Sequence, residues 1–163
     1  MRPGVVTAVA LAGAVVLAVV LAGTRIGDGP EAIVHGRDTC ARCRMIIGRP
    51  GYAGELRDRH GALRKYDDVG CLLQAMLAEH GEIPGSWVED NATGSLVPLI
   101  GATFVRVPAE QTPMGHGIVA FAGEEAARRF AAEHAGRIVA LEALVRDPAL
   151  TARASSHIDR GQP

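Results

Sequence analysis

Lys65-Tyr66-Asp67-Asp68-Val69-Gly70-Cys71-Leu72-Leu73-Gln74-Ala75-Met76-Leu77-Ala78-Glu79-His80-Gly81 is the stretch whose reading decides the fold. An aromatic residue is followed by two aspartates, and either carboxylate can accept hydrogen bonds from the first N–H groups of a helix. Val69, Leu72, Leu73, Met76 and Leu77 then recur at helical spacing until Gly81 stops the run. This predicts a helix reaching to His80. Upstream, Tyr52 to Arg57 and Ala62 to Tyr66 flank Arg59-His60-Gly61, the signature of a hairpin. Downstream, Ser86-Trp87-Val88-Glu89 reads as a strand and Asn91-Ala92-Thr93-Gly94 as a turn.

The same order recurs in the second half. Thr103 to Val107 and Ile118 to Phe121 read as strands, Gly123 leads into a helix from Glu124 to Ala135, and Arg137 to Leu141 is strand-like. Ala78-Glu79-His80-Gly81 ends the first helix and Ala132-Glu133-His134-Ala135 the second, each following an aromatic residue (Tyr66, Phe121) by a similar distance. The expected class is α+β: tandem ββαβ repeats in one compact domain, with halves at 45–95 and 100–145.

Outside that domain the sequence changes character. Arg2 is followed by an uncharged run from Val5 to Ala22, rich in Ala, Val and Leu. Its length is near what a bilayer span needs and exceeds a usual signal-peptide core. We therefore expect residues 1–24 to be an uncleaved membrane anchor, with signal-peptidase cleavage near Val20-Leu21-Ala22 as the alternative. Arg2 and the N-terminal amine favour a cytoplasmic start, which places the remainder on the extracytoplasmic side of the cell membrane. Residues 25–37 read as a linker, 38–147 as the folded domain and 148–163 as a flexible tail. With 17 basic and 18 acidic residues spread along the 163-residue chain, no block suggests nucleic acid.

Chemistry concentrates in two short clusters. Asp38-Thr39-Cys40-Ala41-Arg42-Cys43-Arg44-Met45 places two thiols and a thioether within six residues. Three readings compete for Cys40-x-x-Cys43: a metal site, a disulfide in an oxidising compartment, and a redox pair. The redox reading is weakened because Gly48-Arg49-Pro50-Gly51 breaks the helix such a motif should open. Four-thiolate zinc fails for want of cysteines, and a mixed zinc site would need closely spaced histidines. Thiolate with thioether is the donor set that selects Cu(I). The second cluster is Pro113-Met114-Gly115-His116-Gly117, whose proline and glycines predict an exposed loop. Cys71, inside the first helix, reads as a small packed residue, and Met76 as core. Three cysteines cannot all pair within one chain, so at least one is a thiol or a ligand. No paired carboxylates, serine elbow or phosphate-cradling glycine loop supports an enzyme.

Taken together, Cys40-x-x-Cys43-x-Met45-Ile46, Lys65-Tyr66-Asp67-Asp68-Val69, Trp87-Val88-Glu89-Asp90 and Pro113-Met114-Gly115-His116-Gly117 make the chain resemble the NosL family. These are exported copper-binding accessory proteins of nitrous-oxide reductase maturation. The resemblance spans about Asp38 to Leu144 and implies a tandem ββαβ fold, Cu(I) as cargo, and delivery to a membrane transporter or to the copper enzyme. By position, Cys43 and Met45 match the family's Cys-Gly-Met element, and Met114 its Pro-Met-Gly. The expected copper ligands are thus Cys43, Met45, Met114 and His116, with Cys40 as a second thiolate. The chain departs from the family at Arg44, where Gly is usual, and at Thr24, where a lipid-anchor Cys is usual. The expected function is a membrane-anchored extracytoplasmic copper chaperone. The alternative is a thiol–disulfide protein using Cys40 and Cys43 without metal.

Overall fold

The computed structural model describes residues 29–79 and 83–152, apart from the side chain of residue 110. The expected anchor at 1–24, His80, Gly81 and the tail from 153 onward lie outside the described residues. No helix among the described residues is long and apolar enough to cross a membrane.

The first half consists of β1 (Gly54–Arg57), β2 (Leu63–Tyr66), α1 (Val69–Ala78), β3 (Gly85–Glu89) and β4 (Leu96–Pro98). The second consists of β5 (Thr103–Arg106), a 3-10 turn (Ala109–Gln111), β6 (Ile118–Phe121), α2 (Glu124–Glu133), β7 (Arg137–Val139) and α3 (Leu141–Val145). Each half forms its own antiparallel sheet. The orders are β2-β1-β3-β4 and β6-β5-β7, so the first strand of each half is central and pairs with the second and third. This is the repeated ββαβ arrangement, with β4 and α3 as additions. Both were unexpected. β4 is a three-residue edge strand ending on Pro98, a place where the ladder tolerates proline.

The layering follows from which faces are apolar. Glu55, Lys65 and Trp87 are cross-strand partners on one face of the first sheet, while Leu56, Tyr66 and Val88 on the other enter the main core with α1. Phe104, Ile118 and Ala120 of the second sheet face the same core. Val105, Val119 and Phe121 alternate to the opposite face, under Ala127 and Phe130 of α2. Helix α1 is therefore buried between two sheets, touching β1, β2 and β6. Its sequence fits that position, because Val69–Ala78 carries no charge on any face. By contrast α2 covers one side only and keeps Glu124, Glu125, Arg128 and Arg129 in solvent, joined as i,i+4 pairs.

Two expectations about the chain ends need correction. The expected linker is docked from Gly29 onward: the Glu31 N–H donates to buried Glu55, Lys65 donates to the Ala32 carbonyl, and His35 pairs with buried Glu89. The arm thus supplies a donor to buried Glu55, whereas buried Glu89 also accepts the Gly51 and Ala53 N–H groups. The described part of the expected flexible tail, residues 148–152, is a helical turn whose Leu150 enters the main core. Asp147, just before it, pairs with Arg106 of β5.

Candidate metal centre

The site forms where three segments meet at the N-terminus of α1. The first is the loop of residues 38–47, closed by a bridge between Thr39 and Ile46 and by Cys40 N–H donating to the Met45 carbonyl at 2.8 Å. It is fastened to the edge strand β2, since Ala41 N–H donates to the Lys65 carbonyl and Lys65 Nζ pairs with Asp38 at 2.7 Å. Arg44 closes the turn with φ 66°. That left-handed conformation is the one glycine adopts without cost, which accounts physically for the family's usual residue there.

The second segment is α1 itself. Asp68 is its N-cap, accepting from Gly70 N–H at 2.7 Å. Cys71 follows in the first turn. The third is the loop between β5 and β6, tied to the same cap: Met114 N–H donates to Asp68 Oδ2 at 3.2 Å, and His116 Nδ1 lies 3.0 Å from Oδ1. His116 rests directly on the helix. A Cβ at position 70 would lie 2.2 Å from its Cγ, so only glycine admits the ring.

Cys40, Cys43 and Cys71 bring their sulfurs within 4.8 Å of one another. None is in a disulfide. Cys40 is fully buried and accepts the Cys43 backbone N–H at 3.5 Å. Its pKa is pushed down to about 5, chiefly by a hydrogen bond from the Cys71 thiol and further by surrounding backbone N–H groups. Cys71 shifts upward because it is the donor in that bond and is itself buried, and desolvation raises Cys43 to about 11. These shifts make Cys40 the most readily ionised of the three thiols. Burial also raises the neighbouring Asp67 carboxyl, which accepts Gly48 N–H.

The expected donors are thus distributed unevenly. Cys40 and Cys43 stand together, and Cys71, read from sequence as a packed residue, is both packed and the third member of the cluster. Met114 is not in a fully exposed loop; it is partly buried against the main core. His116 is almost wholly buried at the cap. Met45 is 55% exposed at the surface of the cysteine loop, beside exposed Ile46. The charge-free helix signals that Cys71 is buried but not that it joins the cluster, because a buried cysteine commonly packs as a small apolar residue. Three thiols within one ion's reach, with thioethers in the adjoining loops, suit a soft, low-coordinate ion.

Fold and site define the class: a small α+β domain of two antiparallel sheets built around a thiol cluster that can hold one metal ion. Within that class the chain belongs to the NosL family, whose model matches residues 31–148. Among solved structures, the copper chaperone NosL from Shewanella denitrificans is similar, with a TM-score of 0.63 at 20% identity. The match covers 71% of this chain and 95% of that one. A comparison with curated proteins returns no match.

Proposed function

We propose that the chain is a copper chaperone holding one Cu(I) at Cys40, Cys43 and Cys71 and passing it to an acceptor protein. The observation that carries this reading is the approach of three sulfurs to within 4.8 Å at a helix N-terminus. Thiolates and thioethers are the ligands that favour Cu(I) over harder ions. A three-thiol set also lacks the fourth ligand that structural zinc sites use.

Met114 and His116 serve as donors on the exchange side, and exposed Met45 as the thioether that first meets an incoming or departing ion. Asp68 supports this role for His116. A carboxylate on one ring nitrogen fixes the tautomer and orients the other nitrogen as a ligand. A three-coordinate site leaves room for an acceptor's ligand to bind before the donor's ligands release. The acceptor is a copper enzyme under assembly, such as nitrous-oxide reductase, or the membrane transporter that serves it. Residues 1–24 anchor the protein, with the folded domain on the extracytoplasmic side.

An anaerobic titration of the reduced full-length chain with Cu(I), against a competing chelator, tests the reading. One tightly held ion per chain supports it. Absence of competition, together with ready oxidation of Cys40 to a disulfide, would leave the thiol–disulfide alternative instead.

A further inference from the structure

Gln74 stands one helical turn after Cys71, and residues three apart share a face of the helix. Its side chain is buried, with 2% of its surface exposed. Oε1 accepts the Nε–H of Arg42, one of the two residues between Cys40 and Cys43, at 2.7 Å. A guanidinium nitrogen can only donate, so this contact fixes which end of the amide is oxygen. The Nε2 end is buried, and among the described residues it has no hydrogen-bond partner.

A buried N–H without an acceptor lowers stability, and a Leu or Met would fill the same position without that cost. The orphan donor is explained if an acceptor arises when the ion binds. Cysteine ligates a metal ion as its thiolate, and Cys40, Cys43 and Cys71 stand with their sulfurs within 4.8 Å of one another. Binding Cu(I) displaces their protons to solvent and leaves three thiolates around a single positive charge. Each new thiolate is a strong acceptor of N–H groups.

We propose that Gln74 is a positioning residue for the bound ion, donating Nε2–H to a thiolate of the cysteine cluster once copper is loaded. The same side chain holds Arg42, whose guanidinium brings positive charge to a cluster that becomes net negative. The proposal rests on the copper reading above.

The test is Cu(I) competition on the full-length reduced chain, comparing wild type with Gln74→Met and Gln74→Glu. Methionine keeps the volume and removes both hydrogen-bonding ends. Glutamate keeps the acceptor for Arg42 and removes the donor. Both variants are expected to bind Cu(I) about 10–100-fold more weakly and to release it faster, as for other groups that hydrogen-bond to metal ligands. Metal-free Gln74→Met should melt no lower than wild type, a result that a purely structural role would not give. Undiminished Cu(I) binding by Gln74→Glu overturns the role of Gln74 alone. Failure of the wild type to bind Cu(I) overturns the copper reading and this proposal with it.

Discussion

Nδ1 of His116 lies 3.0 Å from Oδ1 of Asp68, which joins the loop carrying Met114 to the capping residue of the helix carrying Cys71. One carboxylate therefore holds the α1 cap and the second-half loop in a single arrangement. It is fully buried and accepts from Gly70 N–H, Met114 N–H and the imidazole. Asp68→Ala should lose about 2–4 kcal/mol, because it removes a helix cap and leaves buried donors without an acceptor. Urea denaturation of the metal-free protein measures this. His116→Ala should lose less, since Asp68 keeps its two backbone donors.

Gly70→Ala sets two effects against each other. Alanine is favoured over glycine inside a helix by about 1 kcal/mol. Here the added methyl would meet His116 Cγ at 2.2 Å, and the ring has the buried carboxylate at its back. Overpacking of this kind costs about 1–3 kcal/mol, so the variant should be less stable despite its better helix propensity. A melting temperature above wild type would show that the ring moves away freely.

Arg44 occupies a left-handed conformation at φ 66°, and so does Ala135, φ 51°, after α2. At Ala135 the cause is a helix C-terminal motif, in which Gly136 N–H bonds back to the Ala131 carbonyl at 2.8 Å. A left-handed residue with a Cβ costs about 1–2 kcal/mol, and glycine's extra freedom when unfolded returns part of that. Arg44→Gly and Ala135→Gly should each stabilise the protein by about 0.5–1 kcal/mol, read by urea denaturation.

The thiol cluster makes stability depend on pH. Cys40 has its pKa lowered from 9.0 to about 5 in the folded state. Between those values the unfolded chain binds a proton that the folded chain does not, so stability rises with pH. The contribution is complete above 9 and is lost as pH falls through about 5. Cys43, raised to about 11, acts in the opposite sense, and its contribution is lost only as pH climbs past 9 toward that value. The stability gap between metal-free wild type and Cys40→Ser should therefore widen with pH across the interval from 5 to 9. A gap independent of pH would contradict the thiolate assignment.

Much of the fold was legible in local patterns. The turn at Arg59-His60-Gly61, the aspartates before Val69 and Gly123 before α2 each belong to a few neighbouring residues. Their physical causes act at that range. By contrast α1 ends at Ala78, short of the expected His80. β4 and α3 escaped notice because three and five residues carry too little periodicity to read. The docked arm from Gly29 has no local signature at all, being held by Glu55, Lys65 and Glu89 of the sheet. The candidate site divides in the same way. Cys40 and Cys43 announce themselves by spacing, whereas Cys71 joins them only because the chain places the N-terminus of α1 against the cysteine loop.

The most direct test of the three-thiol site is Cu(I) affinity measured side by side for wild type and Cys71→Ser, anaerobically and with a competing chelator. A three-thiol site should bind one ion tightly per wild-type chain, with an affinity at least about tenfold lower, some 1.4 kcal/mol, in the variant. Equal affinity in the two proteins would contradict it and return the site to Cys43, Met45, Met114 and His116.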